Sequence, residues 1–286
     1  MANFLGVRAL PPMRSYRSPE VVRTFDELRK KLEDHGGYSE FCWFAREYPR
    51  CYRFHMDGAD FRLRTIHALM TAIYGELSRA AASDSTGRLF GVSVSDARVL
   101  RIYWDFESYL SEISASLDLL ARIVGPAFRQ DSPPSFSKLA KRKDSHPLVL
   151  LFRKAERLWV GRLKDYRDCF VHYTPVDTQL SVSLTKFDSR RELRAKLPVN
   201  PNVRDILGFR YTQRVELLAY AISVHKRMSS FDKAIATAVW RLHREGFFPL
   251  RTERLFFLGQ RYRQESEAAG MKSVNINGQP PELGSR

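Results

Sequence analysis

From Val99 onward the apolar residues Val99, Ile102, Phe106, Leu110, Ile113, Leu117, Leu120 and Val124 recur at steps of three and four without a break. That spacing places them on one stripe of a long amphipathic helix. A stripe of this length has to be covered by other helices, so it constrains the chain to an all-α bundle more than any other feature. Ser93 with Asp96 reads as a capping box at its start, and Gly125-Pro126 as its stop.

The remaining text supplies the partners. Leu63, Ile66, Met70, Ile73 and Leu77 keep the same period between the turn-like Asp57-Gly58 and the polar run Ser83 to Gly87, which predicts a helix antiparallel to the first. An earlier helix is expected from Ser18-Pro19-Glu20 to Gly36-Gly37, with Val21, Phe25, Leu28 and Leu32 inward. A fourth opens at Ser145, tolerates Pro147 in its first turn, and closes at Pro175. Its face is Leu148, Phe152, Ala155, Trp159, Leu163, Tyr166 and Phe170. The last helical region, about 212–245, carries Leu217, Ala221, Val224, Met228, Ile235, Ala238 and Leu242, with Ser229-Ser230 as an expected break.

Strand-like alternation is confined to Leu180, Val182 and Leu184, followed by the loop-forming run Pro198 to Asn202. This predicts a small β-hairpin inserted after the fourth helix, within 178–211. Residues 1–264 read as one helical-bundle domain of four to five main helices. Residues 265–286, polar and carrying Gly270, Gly278, Pro280, Pro281 and Gly284, read as a flexible tail.

Composition narrows the class of function. The 286 residues are 44% hydrophobic and 12% aromatic, enough for a sizeable core, which excludes a wholly disordered chain. There is no apolar run of membrane-spanning length, and Arg8, Pro11, Pro12 and Arg14 follow too short an apolar stretch for a signal peptide. Cys42, Cys51 and Cys169 do not make a disulfide framework. The expectation is a cytoplasmic protein with no membrane partner. The formal charge of +15 favours a polyanionic partner, nucleic acid before an anionic surface. Arginine outnumbers lysine roughly three to one, which suits bidentate phosphate contacts.

The residues able to do chemistry gather at the end of the fourth helix, in Tyr166-Arg167-Asp168-Cys169-Phe170-Val171-His172-Tyr173. Asp168 and His172, four apart, share a helical face, so the carboxylate can fix the imidazole tautomer of a general base. Arg167 and His172 diverge by about 140° on a straight helix, so they converge only if two such helices meet about a two-fold axis. Arginine is followed by histidine at similar distance in Arg29/His35, Arg50/His55 and Arg62/His67. Only the pair at 167 and 172 combines a polar neighbour, an apolar filler and a long amphipathic helix before it. The plain alternative is a surface ion-pair cluster of Lys164, Asp165, Arg167 and Asp168, with His172 answering the helix dipole.

An arginine, a polar residue and a histidine four to six positions beyond the arginine, on a helix of a bundle, resembles the signature of the HEPN superfamily. The resemblance implies a HEPN-like bundle and a homodimer with a composite site. It further implies metal-independent RNA cleavage to 2′,3′-cyclic phosphate and 5′-hydroxyl ends, with no cofactor. Arg167, His172 and Asp168 would then be catalytic, in a toxin or antiviral defence effector, with an antitoxin or other regulatory protein as a possible partner. Some members carry a modified tyrosine two positions after the histidine; here Tyr173 follows directly and Thr174 takes the second place.

Substrate contacts are expected from Lys164, Tyr173, Lys141, Arg142 and Lys143, the last three in a basic block with Lys138. His35, Cys42, Cys51 and His55 are potential zinc ligands without finger spacing, so no metal site is expected. Tyr38, Phe41, Trp43 and Phe44 are aromatics that suit either a core or base stacking. Two other readings fit the same text: a non-catalytic HEPN-like RNA-binding or assembly module, and a basic helical DNA-binding or scaffold protein.

Overall fold

A computed structural model describes residues 19–33, 40–83, 91–128, 135–173, 180–187, 190–204 and 208–245. The long stripe is helix α3, Ala97–Ile123, whose Val99, Ile102, Phe106, Leu110, Ile113, Leu117 and Leu120 are all buried. Its N-cap is Asp96, whose side chain accepts from the Arg98 backbone N–H. Ser93 is not part of the cap, because it pairs with Ser183 in a strand.

Helices α1 (Glu20–Glu33) and α2 (Glu40–Ala82) precede it. Val21, Phe25 and Leu28 of α1 are fully buried. Its expected Gly36-Gly37 end lies outside the described residues. Helix α2 corrects the expected start at Asp57-Gly58, since it runs straight through both residues and through Pro49. Gly58 is a packing glycine rather than a turn: a Cβ there would lie 3.1 Å from the Glu112 carboxyl carbon. The missing side chain makes room for Glu112 to meet His55 Nδ1 at 2.6 Å. Helices α2 and α3 run antiparallel, as His55–Glu112 and Arg62–Asp105 show by stepping in opposite directions. The buried Asp105 also accepts from Arg101 Nε, so one carboxylate joins two guanidiniums across the helix pair.

After a 3₁₀ turn, Gly125–Phe128, and the short α4, Phe136–Ala140, the chain enters the motif helix. This helix has four parts: α5 (Pro147–Ala155), a π-turn (Glu156–Val160), α6 (Gly161–Asp168) and a second π-turn (Cys169–Tyr173). Its predicted face is buried from Leu148 to Tyr166, and Phe170 packs its ring on Tyr103 and Phe106. Gly161 suits the first π-turn: its N–H bonds the Glu156 carbonyl, and a Cβ would sit 3.2 Å from that oxygen.

The predicted hairpin exists as β2 (Val182–Phe187) and β3 (Arg190–Pro198). It belongs to a four-stranded antiparallel sheet in the order β1-β2-β3-β4, with β1 at Gly91–Val94 and β4 at Tyr211–Glu216. The fold is thus mostly helical, as expected, and the expected hairpin is the middle of a small four-stranded sheet. Strand β1 has four residues, too few for a readable alternation, and β4 lies in text whose period belongs to the helix that follows. Val182, Leu184, Leu193, Ala195 and Leu197 turn one face of the sheet into the common core. Tyr103 and Tyr166 tie it to the bundle by donating to the carbonyls of Lys196 and Pro198.

Helix α7, Leu217–Arg244, is unbroken at Ser229-Ser230, whose hydroxyls bond back to the carbonyls of His225 and Lys226. Glu216 caps its start through the Leu218 and Ala219 N–H groups. Asp232, in the body of α7, accepts from the Glu20 and Val21 N–H groups and from Tyr52 Oη. It thus caps α1 from across the molecule and pins α1 and α2 to α7. The expected 265–286 tail lies outside the described residues. Among those residues no helix is long and apolar enough to cross a membrane.

Candidate functional site

The burial of Leu163, Tyr166 and Cys169 fixes which side of the motif helix meets solvent at its end. Arg167 and Asp168 are half exposed there, and Val171 and His172 are exposed. The widened turn at Cys169–Tyr173 matters to this pair. A π-turn joins residues five apart and rotates the chain less per residue than an α-helix. The five-residue step from Arg167 to His172 therefore diverges by less than the 140° or so of straight α-helix, and both side chains leave by one end.

The electrostatics around Arg167 differ from the expected arrangement. Asp168, expected to orient His172, has its Oδ1 on Arg167, accepting from Nε at 3.1 Å and from Nη2 at 2.7 Å. Asp165 stands one turn earlier; burial pushes its carboxyl up, with the charge of Asp168 acting in the same direction. The side chain of Tyr173 lies outside the described residues.

The expected substrate contacts separate into two groups. Lys164 is drawn back along the helix, its ammonium on both oxygens of Glu156 at 2.9 Å and on Ser137 Oγ at 2.7 Å. It also stands over the Phe136 ring, so it joins the motif helix to α4. Lys141 and Lys143 are exposed, whereas Arg142 pairs with Asp144 and lies over the Phe128 ring. Arg153 bonds the Arg142 carbonyl. From Arg153 to Arg167 the helix advances roughly 20 Å. The basic block thus sits at the opposite end of the motif helix from Arg167 and His172.

The other arginine-histidine pairs have different surroundings. Arg62 is bound to the buried Asp105, and His55 to Glu112. Of the four potential zinc ligands, Cys51 is exposed and unbonded to sulfur, His55 has Glu112, and the side chains of His35 and Cys42 lie outside the described residues. No group of three or more metal-ligating side chains occurs among the described residues.

Two features escaped the sequence reading. Trp104 of α3 is 52% exposed, while its neighbour Tyr103 turns inward and stacks on Phe170 at 6.1 Å. Nothing in a helical period marks it out. The first π-turn, with α7, also walls a cleft of about 280 Å³ that includes Arg162 and Arg227. No protein-family model, curated protein or solved structure matches the chain.

Proposed function

We propose that the chain is a metal-independent endoribonuclease of the HEPN type, acting as a homodimer on RNA. The observation that carries this reading is the π-turn at Cys169–Tyr173. It turns Arg167 and His172 out at one end of a helix whose other face is buried.

In this mechanism His172 takes the proton of a ribose 2′-hydroxyl, and the 2′-oxygen attacks the adjacent phosphorus. Arg167 stabilises the charge on the phosphorane oxygens. The bond to the 5′-oxygen breaks, and a second histidine, His172 of the other copy across the two-fold axis, protonates that leaving group. The ends are a 2′,3′-cyclic phosphate and a 5′-hydroxyl. The Arg167–Asp168 pair does not bar this chemistry. It is about half exposed, and such pairs contribute only about 0–1 kcal/mol, so an RNA phosphate can replace the carboxylate. A toxin or antiviral effector is the biological setting this activity suits.

The Asp168 contact also favours a second reading, a non-catalytic RNA-binding module in which Arg167 is neutralised within the protein. One experiment separates the two. Labelled single-stranded RNA is incubated in chelator with the full chain, Arg167→Ala and His172→Ala, and the ends are analysed. Cyclic-phosphate ends from the parent, lost in both variants, support the enzyme. Retained binding without cleavage by the parent supports the module.

A further inference from the structure

The outer face of the α2–α3 pair carries three exposed aromatics. Arg62 and Asp105 meet across the pair at 2.8 Å. One residue further along each helix, Leu63 and Phe106 are buried in the core, whereas one residue back Phe61 is 59% exposed and Trp104 is half exposed. In antiparallel helices a backward step from two facing residues turns both side chains to the same side. Phe61 and Trp104 therefore share the face turned away from the core. Phe54, 72% exposed, stands seven residues before Phe61 on the same stripe of α2. Large aromatics so open and so grouped mark a contact surface rather than an ordinary solvated helix face.

The same face is free of charge, on a chain whose formal charge is +15. From Phe54 the α2 stripe continues through Gly58, Phe61, Thr65, Ala68 and Ala72 to Gly75, and from Trp104 the α3 stripe runs through Ser108 and Ser111 to Ala115. Charges along its edges balance one another. Arg53, Arg62, Arg64 and Arg101 pair with Asp57, Asp105 and Asp60, and Glu112 holds His55. A nucleic acid, which binds through free cations, has little to hold here. A second copy is different: two such basic chains repel one another as wholes, and a neutral face is where they can meet without bringing like charges together.

We propose that this face binds the same face of a second copy, in a two-fold contact with the two α2 helices antiparallel. The α2 stripe is bulky in its first half and small in its second. That suits an isologous contact, where residue i of one copy meets residue j of the other and j meets i. An axis passing at Thr65 lays Phe61 on the partner's Ala68 and Phe54 on the partner's Gly75. The floor at Gly75 is open, since a Cβ added there would meet nothing within 4 Å. The face runs about 30 Å along α2 and roughly 20 Å across both helices, which is on the order of 600 Å² per copy. Stable interfaces take about 600–1,000 Å² from each partner, so the face is large enough to hold a dimer. The contact uses no residue of the motif helix and does not depend on RNA cleavage.

Analytical sedimentation of the RNA-free full chain is the test. The protein should associate reversibly in the micromolar range, and more tightly in about 0.5 M than in about 0.1 M sodium chloride, because salt screens the repulsion between the chains. A pair bridged by nucleic acid would weaken instead. Phe61→Arg and Ala68→Arg should each weaken association at least about tenfold. Ala68 is an exposed helix position, so its variant should keep the melting temperature of the dilute parent and guards against misfolding as the cause. Val171→Arg, at the exposed end of the motif helix, should associate as the parent does. With Cys51→Ser in place, Thr65→Cys should yield a disulfide-linked dimer on mild oxidation that Cys51→Ser alone does not. A chain that stays monomeric at about 100 µM, its face covered by something else or by nothing, overturns the proposal. Association undiminished in both arginine variants, or lost in Val171→Arg yet kept in those two, would overturn it equally.

Discussion

The motif helix contains two π-turns, and their surroundings could hardly differ more. The turn at Glu156–Val160 is enclosed: Gly161 gives the Glu156 carbonyl room, Arg227 of α7 holds the Leu158 carbonyl, and Trp159 is buried. At the turn Cys169–Tyr173, Phe170 packs on Tyr103 and Phe106, while Val171 and His172 are exposed. The same widening of the backbone thus makes one concave, donor-lined wall and one outward-facing pair of ionisable side chains. What a π-turn does is decided by the elements packed against it, not by the turn itself.

This contrast can be broken in several ways. The largest effect is expected at the open turn: Arg167→Ala or His172→Ala should lower chelator-resistant RNA cleavage by at least about 10²-fold. Their unfolding free energies should stay within about 0.5 kcal/mol of the parent, as measured in urea. The strongest pH effect on stability should come from neither turn but from Asp232. Burial raises its carboxyl to about 6, above the value near 3.9 of an unfolded chain. Its proton therefore stabilises the fold fully below about pH 4, and that contribution is lost as the pH rises through 6. Relative to Asp232→Asn, the parent should lose up to about 3 kcal/mol across that window in unfolding titrations.

The enclosed turn should be the less tolerant of added bulk. Gly161→Val should cost about 1–3 kcal/mol in chemical denaturation, because its side chain meets the Glu156 carbonyl. Val171→Ala, at a position 45% exposed, should cost less than about 0.5 kcal/mol. Between the turns, Tyr166→Phe removes a buried 2.7 Å bond to the Pro198 carbonyl and should cost about 1 kcal/mol by the same measurement. Equal losses at Gly161 and Val171 would erase the distinction between the two turns.

Much of the bundle was legible because burial and helical period coincide. Val99 to Leu120, Leu63 to Leu77 and Leu148 to Tyr166 all reached the core as their spacing implied. Interruptions were misread where a residue type had two uses. Gly58 looked like a turn but serves the Glu112 carboxylate, and Ser229-Ser230 looked like a break but bonds back into its own helix. At the candidate site, the exposure of Arg167 and His172 followed from Leu163 and Tyr166 being inward. The π-turn did not, since a widened turn leaves the apolar stripe nearly unchanged. Nor could composition show that Lys164 and the block at 141–143 serve different neighbours, because that depends on Glu156, Ser137 and Asp144 lying within reach.

The cap that Asp232 places on α1 sets an order of events during synthesis. The first turn of α1 leaves the ribosome more than two hundred residues before the carboxylate that receives its N–H groups. Until α7 has emerged, α1 lacks that acceptor, while α2 and α3, neighbours along the chain, can already zip together. Capping of α1 is therefore a late, long-range event.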